Sequence, residues 1–214
     1  MTALRPDHIW FQLIGREHGW AADRPALFVD RDGVLVQETN YLHRVDDVVL
    51  IDGVESVLAL ANARALPVVM VTNQAGIGRG YYGWHEFALV NEYILAQLAQ
   101  RGARVDAVVA CPFHEQGVGD MRHADHPMRK PNPGMLYLAG QHLGLDFARS
   151  LIIGDQASDL RAGQAAGLRC GIHVLTGHGQ SRRDDAIALA STDFEVKLAT
   201  SIADPLVIQA LQHR

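Results

Sequence analysis

Polar side chains follow three short apolar stretches of the sequence, at the point where each stretch ends. The stretches are residues 26–29, 67–71 and 151–153, and the residues after them are Asp30 with Asp32, Thr72 with Asn73, and Asp155. An unbroken apolar run of this length is typical of a buried strand. Because ligands of an open parallel α/β sheet bind at the carboxyl ends of its strands, we expect these side chains to lie together at one edge of a sheet.

The residue types at this edge indicate chemistry on a phosphoryl group. Clustered carboxylates repel one another unless they share a cation or a proton, and Mg²⁺ binds through a few carboxylates together with phosphate oxygens. Lys130 and the Thr72 hydroxyl are suited to surround the phosphoryl group itself. A single aspartate after a strand is commonly a helix cap or a turn residue. Three strand ends with such residues are more than capping requires, so the sequence favours a magnesium-dependent reaction on phosphate.

The elements that must position these residues alternate between strands and helices. Strands are predicted at 26–29, 67–71, 105–110, 151–153, 168–174 and around 194–196, and helices at about 54–65, 84–101, 134–143, 158–166 and from about 202. Strands that are apolar throughout and alternate with helices predict a parallel sheet covered on both faces. The predicted fold class is therefore α/β, with a Rossmann-like, doubly wound parallel sheet.

The composition excludes several classes of protein. The 214 residues include 19 Lys and Arg against 24 Asp and Glu, a net charge of −5, and 48% are hydrophobic. Such a chain is neither disordered nor collagen-like. The negative net charge gives no reason to expect nucleic acid or an anionic membrane as a partner. No apolar run approaches the roughly 18 residues of a membrane-spanning helix.

The cysteine content and the N-terminus predict the compartment and the domain organisation. Two cysteines cannot build a disulfide framework, which favours a reducing compartment, and the N-terminus lacks the apolar core of a signal peptide. We therefore expect a cytoplasmic protein, and a monomer. Residues 1–25 have no clean hydrophobic period and are predicted to form an N-terminal extension, whereas 26–214 are predicted to form a single domain.

Four short motifs occur in order along the chain and together resemble those of a known superfamily. They are Asp30-Arg31-Asp32-Gly33-Val34, Val71-Thr72-Asn73-Gln74, Arg129-Lys130-Pro131, and Gly154-Asp155 with Asp159. This set resembles the ordered motifs of the haloacid dehalogenase (HAD) superfamily of phosphohydrolases. Residues 72–80, and Cys111-Pro112 followed by residues 129–135, are similar to its heptose-bisphosphate and histidinol-phosphate phosphatase branch.

The resemblance implies a role for each of the motif aspartates. Asp30 would attack phosphorus and form an aspartyl-phosphate. Asp32 would first protonate the leaving oxygen and then activate water. Residues two apart in an extended segment face the same side, so Asp32 would lie on the same side as Asp30. Mg²⁺ would be bound by Asp30, the backbone carbonyl of Asp32 and Asp155. Asp159 would orient the water shell of the metal.

The same resemblance implies phosphate contacts and two departures from the family pattern. Thr72 and the adjacent amide of Asn73 would hold a phosphoryl oxygen, and Lys130 would balance the charge of nucleophile and phosphate. Val34 replaces a common Thr. Gln156 stands where close relatives often have Lys, which removes one cation from the edge of the site.

Short connections between the motifs predict an open site without a lid domain. Specificity would then come from three loops, at about 34–45, 75–83 and 111–128. Arg79 and Arg129 are candidate substrate-binding residues, because a guanidinium can bind a phosphate or carboxylate bidentately, and Gln74 is a third candidate. The alternative for either arginine is a solvated surface residue. We expect a small phosphorylated metabolite. The resemblance implies a sugar phosphate such as a heptose 1,7-bisphosphate, with histidinol phosphate as the alternative.

A cysteine and three histidines in the third loop have the spacing of a possible zinc site. They are Cys111, His114, His123 and His126, with the pattern C-x₂-H-x₈-H-x₂-H. Relatives in the heptose branch bind zinc through Cys-x-His and Cys-x-Cys. The corresponding positions here are Cys111, Phe113, His126 and Met128, of which two are apolar. We therefore favour a metal-free loop held by packing and prolines, with zinc as the alternative.

Two other function classes share parts of this pattern. A phosphate-accepting signalling domain also forms an aspartyl-phosphate beside Mg²⁺, but it does not need a second aspartate two residues on. A non-catalytic module on a degenerate scaffold would not need the whole set of polar residues, yet Asp30, Asp32, Thr72, Lys130 and Asp155 are all retained. Turnover of an aryl phosphate with Mg²⁺ separates the three classes.

Overall fold

A computed structural model describes residues 3–14 and 22–212. In this part of the chain seven strands form one sheet in the order β1-β4-β3-β2-β5-β6-β7. The strands are β1 (Trp10–Leu13), β2 (Leu27–Val29), β3 (Val68–Asn73), β4 (Ala107–Cys111), β5 (Leu151–Gly154), β6 (Cys170–His173) and β7 (Glu195–Leu198). Neighbouring strands are parallel, except that β1 pairs antiparallel with β4.

Helices cover both faces of the sheet, which confirms the predicted α/β class. The helices are α1 (Val54–Ala63), α2 (Ala75–Gly78), α3 (Trp84–Gln100), α4 (Gly134–Leu143), α5 (Ala157–Ala166), α6 (Gly179–Ile187) and α7 (Pro205–Gln212). Alternate residues of a strand point to opposite faces, so Leu27 and Val29 pack in one apolar core and Phe28 in the other. The first core includes residues of α1, α3 and α7, and the second includes residues of α4 and α5.

Three elements differ from the sequence prediction, and one of them is the short helix α2, which lies in the segment 75–83 that the sequence predicts as a loop. The strand β1 lies within residues 1–25, which the sequence predicts as an N-terminal extension without a clean hydrophobic period, and its antiparallel pairing corrects the prediction of a wholly parallel sheet. Trp10 fixes this edge strand by packing against Trp84 and Phe87 of α3. The helix α6 escapes prediction because only Gly179 and Ala186 of its nine residues are buried, so no apolar stripe marks it. Residues 1–2 and 15–21 of the predicted extension lie outside the described part.

The strand order brings the motif residues to one edge. The strands β3, β2 and β5 are direct neighbours, with Phe28 in register with Val69 and with Ile152. Because the three strands are parallel, the residues at their carboxyl ends meet at the same edge of the sheet. Among the described residues, no helix is long and apolar enough to span a membrane.

Candidate active site

A buried lysine lies among the acidic side chains at this edge. The Lys130 side chain is only 1% exposed, and its Nζ lies 3.0 Å from Asp30 Oδ1 and 2.7 Å from Asp159 Oδ1. The same ammonium group donates a hydrogen bond to the Val71 carbonyl at 2.8 Å. Burial alone would lower the pKa of Lys130, but the carboxylates of Asp159 and Asp30 outweigh it and raise the pKa above its usual value. Lys130 therefore stays charged and fixes two carboxylates.

Asp30 has one oxygen engaged by the protein. Its Oδ1 accepts hydrogen bonds from the backbone N–H of Arg31 at 2.7 Å and from Lys130. Burial raises the pKa of Asp30 to about 7; Lys130 opposes this rise, whereas Asp159 and Asp32 add to it. Within the described residues both of these donors contact Oδ1 and not Oδ2.

Asp155 completes a group of carboxylates that fits a divalent cation. Asp30, Asp155 and Asp159 each have a carboxylate oxygen within 4.8 Å of the others. Asp155 Oδ2 accepts a hydrogen bond from the His178 backbone N–H at 2.7 Å, whereas its buried Oδ1 has no partner among the described residues. Burial raises the pKa of Asp155 to about 8, and Asp159 and Asp30 add to this rise. An unpaired buried carboxylate oxygen among hard oxygen ligands fits Mg²⁺.

Two glycines allow the backbone to approach Asp155 closely. Gly33 has φ +78° and Gly177 has φ +60°, and a Cβ at either position would lie 2.6 Å or 2.3 Å from Asp155 Oδ2. The Thr176 hydroxyl donates a hydrogen bond to the Gly33 carbonyl and joins the two segments. Sequence reasoning missed residues 176–178. Their only signal is that they follow a strand, β6, of the same parallel sheet.

Asn73 holds the backbone of Lys130 in place. Its side-chain amide donates to the Lys130 carbonyl at 3.0 Å, and its Oδ1 accepts from the Lys130 backbone N–H at 3.1 Å. The Asn73 side chain therefore orients the lysine. A phosphate contact through the Asn73 backbone amide stays a prediction.

Gln74 links several polar groups around Asp32. Its Nε2 donates to Thr72 Oγ1 at 2.7 Å and to Asp32 Oδ2 at 3.1 Å. Its Oε1 accepts from the Tyr82 hydroxyl at 2.6 Å and from Arg31 Nη2 at 3.1 Å. Gln74 is buried, so its side chain organises the site, and a direct substrate contact stays a prediction. Sequence reasoning also missed Arg31, because it reads only as a spacer between two aspartates.

Two adjoining cavities open onto these residues. The first, of about 390 Å³, is lined by Asp30, Asp32, Thr72, Arg129, Lys130, Gln156 and Asp159, among others. The second, of about 310 Å³, is lined by Asp32, Glu38, Asn40, Tyr41, Gln74, Tyr82 and His178, among others. Asp32 and Glu38 line both. Asp32 is thus placed between a cavity beside Asp30 and a second one that could hold the rest of a substrate.

The two candidate arginines have different surroundings. Arg129 lines the first cavity and donates to the Phe113 carbonyl at 2.9 Å. Arg79 donates to the Tyr41 hydroxyl at 2.6 Å and lies 3.3 Å from His114 Nε2. Arg79 therefore connects all three predicted specificity loops, whereas Arg129 lines the cavity that Asp30 also lines.

The cysteine and histidines of the third loop are not assembled as a chelate. In the described part of the chain, the group of Asp30, Asp155 and Asp159 alone brings three His, Cys, Asp or Glu ligands together. Cys111 is buried in β4, and burial raises the pKa of its thiol to about 12. Histidine ring nitrogens are also engaged: His114 Nδ1 accepts from Gln116 N, and His126 Nδ1 from Met128 N. Cys111, His114, His123 and His126 thus form no zinc centre in this geometry, and a metal-free loop stays a prediction.

The fold and the site define a phosphohydrolase of the HAD type, and comparisons with known proteins agree. The HAD-hydrolase-like family model matches residues 127–203. The D-glycero-beta-D-manno-heptose-1,7-bisphosphate 7-phosphatase of Mesorhizobium japonicum is 48% identical over 163 residues, which cover 76% of this chain and 75% of the relative. The chain belongs to the HAD superfamily of hydrolases, and it is a phosphoric monoester hydrolase.

Solved structures support the same assignment. The crystal structure of a HAD-like phosphatase from Mesorhizobium loti has a TM-score of 0.89 and 40% sequence identity. The match covers 100% of this chain and 97% of that chain. The structure of D,D-heptose 1,7-bisphosphate phosphatase from B. bronchiseptica, complexed with magnesium and phosphate, has a TM-score of 0.75 and 27% sequence identity. The match covers 89% of this chain and 99% of that chain.

Metal binding should depend on pH where Asp30 and Asp155 lose their protons. Because folding raises the pKa of both groups, from 3.8 to about 7 and about 8, the folded state binds more protons than the unfolded chain between about pH 4 and pH 8. Without a metal ion, the free energy of unfolding therefore falls as the pH rises through this range, because the two buried carboxylates become charged. A bound cation offsets that loss. Mg²⁺ should raise the thermal unfolding midpoint more at about pH 8.5 than at about pH 5.5.

Two variants test that this effect comes from the carboxylate group. Asp155→Asn should lose most of the Mg²⁺-induced increase, whereas Asp184→Asn, a change at an exposed aspartate of α6, should keep it. Scanning calorimetry at both pH values gives the comparison. An equal Mg²⁺ effect at the two pH values, or an unchanged effect in Asp155→Asn, would contradict this assignment.

Proposed function

We propose that this protein is a Mg²⁺-dependent phosphomonoesterase that acts through an aspartyl-phosphate on Asp30, and that its substrate is a heptose 1,7-bisphosphate. The observation that carries the proposal is the arrangement of Asp30. One of its oxygens is held by Lys130, the other is left for phosphorus, and the carboxylate lines a cavity shared with Asp32 and Thr72.

The charges around Asp30 allow one anion to approach another. Mg²⁺ bound by Asp30, the Asp32 backbone carbonyl and Asp155 would cancel repulsion between the carboxylate and the phosphate. Lys130 adds a fixed positive charge 3.0 Å from Asp30. Asp159 accepts from the Gln156 backbone N–H at 3.0 Å while it binds Lys130, so both of its oxygens are engaged. This favours a supporting role for Asp159, as an orienting group beside the metal.

Thr72 is oriented to donate a hydrogen bond to the phosphoryl group. Its Oγ1 accepts from Gln74 Nε2 at 2.7 Å, so its own proton can be directed elsewhere. Thr72 lines the first cavity together with Lys130. A hydroxyl proton and an ammonium group directed at the phosphoryl oxygens would stabilise the charge that they carry in the transition state.

The reaction then has two steps that share one acid–base group. In the first, an Asp30 oxygen forms a bond to phosphorus while the bond to the ester oxygen breaks, and Asp32 gives its proton to that oxygen. In the second, Asp32 takes a proton from water, the water oxygen bonds to phosphorus, and the bond to Asp30 breaks. Inorganic phosphate leaves, and both aspartates return to their initial state. Asp32 suits this role because it lines both cavities.

The cavity walls and the relatives both favour a sugar bisphosphate. Arg129 gives the first cavity a cationic edge, and Asn40 and Tyr41 give the second cavity polar groups suited to hydroxyls. Relatives of this chain are named as heptose 1,7-bisphosphate phosphatases. Histidinol phosphate is a second candidate because the Glu38 carboxylate, which lines both cavities, could bind its ammonium group.

Loss of the nucleophile should abolish turnover without unfolding the protein. In Asp30→Asn the new amide is nearly isosteric with the carboxylate but is a poor nucleophile. In Asp32→Asn the loss of the acid–base group should lower kcat by roughly 10²–10⁴-fold. EDTA should silence the wild-type enzyme and Mg²⁺ should restore it. Phosphate release with circular dichroism as a folding check measures this, and near-normal activity in folded Asp30→Asn would overturn the proposal.

The two candidate substrates can be compared on one preparation. We expect a higher kcat/KM for heptose 1,7-bisphosphate than for histidinol phosphate. Arg129→Ala should lower kcat/KM for the bisphosphate by roughly 10- to 100-fold, the value of a lost hydrogen bond to a charged group. Arg122→Ala, at an exposed position of the same loop, is the matched control. A preference for histidinol phosphate, or an unaffected Arg129→Ala enzyme, would show the substrate assignment to be wrong.

A further inference from the structure

Arg31 lies between the two motif aspartates, yet its guanidinium is inside the protein. We propose that Arg31 is a positioning residue that holds the Asp32 carboxylate in the orientation needed for proton transfer. The proposal rests on the role given to Asp32 in the proposed function. It assigns a purpose to a buried charge whose side chain, among the described residues, donates hydrogen bonds to Asp32, to Gln74 and to the Leu42 carbonyl.

One edge of the guanidinium, formed by Nε and Nη2, donates hydrogen bonds to the Asp32 carboxylate. Arg31 Nε lies 3.2 Å from Asp32 Oδ1 and 3.1 Å from Oδ2, and Nη2 lies 3.0 Å from Oδ1. The Arg31 side chain is 1% exposed, whereas that of Asp32 is 18% exposed. The arginine of this pair is therefore buried, whereas the Asp32 carboxylate is partly exposed and lines the two cavities.

Arg31 is itself immobilised from several sides. Its Nη2 donates to Gln74 Oε1 at 3.1 Å, and its guanidinium carbon lies 5.4 Å from the centroid of the Phe87 ring. Gln74 also donates to Asp32 Oδ2 and accepts from the Tyr82 hydroxyl at 2.6 Å. Arg31, Asp32 and Gln74 thus close a ring of hydrogen bonds, and Tyr82 fixes that ring from outside.

Stability alone does not account for this arrangement. A buried ion pair often contributes no more to stability than apolar side chains of similar size, and Arg31 Nη1 has no hydrogen-bond partner among the described residues. Proton transfer, in contrast, requires donor and acceptor within about 2.6–3.2 Å, and a displacement of about 1 Å can cost roughly 10²-fold in rate. A lysine could keep the charge, but it lacks the planar fork that sets the carboxylate orientation.

The leaving group separates a positioning role from a purely structural one. A sugar alkoxide needs a proton as it leaves, whereas 4-nitrophenolate leaves without one. In Arg31→Lys, kcat for the sugar phosphate should fall by roughly 10²-fold with little change in KM. The first nitrophenolate should still be released from 4-nitrophenyl phosphate in a burst near the wild-type rate. Steady-state turnover should then be slow, because Asp32 must also activate water.

Four further variants make the result decisive. Asp32→Asn should show the same pattern more strongly, and Arg104→Lys should show none, since the Arg104–Asp106 pair lies at the amino end of β3, where Asp106 accepts from Val68 N. Tyr82→Phe removes one hydrogen bond from the ring and leaves the buried charge, so it should show a smaller effect of the same kind even where Arg31→Lys does not fold. Guanidinium ion added to Arg31→Ala should restore part of the sugar-phosphate activity.

The outcomes distinguish the two proposals. If Asp32→Asn shows no dependence on the leaving group, the proposed function fails, and the role of Arg31 fails with it. If Asp32→Asn shows the dependence but Arg31→Lys, or Tyr82→Phe in its place, slows the first release of the leaving group by the same factor for both substrates, then only the positioning role is overturned. Wild-type turnover of the sugar phosphate by folded Arg31→Lys would overturn it as well.

Discussion

The ion pairs of one buried ammonium group organise the whole site. Asp30, Asp155 and Asp159 bring carboxylate oxygens within 4.8 Å of one another, and such a group is unstable unless protons or cations balance its charge. Lys130 bridges two of the three carboxylates. Because Asn73 holds the Lys130 backbone through two hydrogen bonds, the end of β3 determines where that charge lies. The position of the Asp30 carboxylate follows from these contacts.

The site is arranged for chemistry at a cost to the stability of the metal-free protein. Asp155 has a buried oxygen without a partner in the described structure, and the pKa values of Asp30 and Asp155 are raised to about 7 and about 8. Such groups favour protons or a metal ion over an empty site. The topology concentrates this cost at a single edge, because β3, β2 and β5 are adjacent and parallel. The rest of the sheet is covered by apolar cores on both faces.

The sequence predicts which polar residues meet at this edge of the sheet, but it misses the side chains that support them. Asp30, Thr72 and Asp155 follow apolar runs, so periodicity alone places them at strand ends. Arg31 is a polar residue type that is usually exposed, and its burial depends on Phe87 and Gln74, which are distant along the chain. The spacing of Cys111 with the loop histidines suggests a chelate, but β4 places the thiol in the core. Contacts that depend on packing between distant segments are not encoded in local pattern.

In the proposed reaction, Asp30 carries the phosphoryl group during turnover. Rapid acid quenching of the Mg²⁺-loaded enzyme with its phosphorylated substrate, followed by mass spectrometry of the peptide that contains Asp30, tests it directly. With 4-nitrophenyl phosphate, whose leaving group needs no proton, Asp32→Asn should accumulate a phosphoryl group on Asp30, because it forms the intermediate but cannot activate water efficiently. The wild-type enzyme should show less of it at steady state. Phosphate release without any adduct in either enzyme, or an adduct on a residue other than Asp30, would contradict the account.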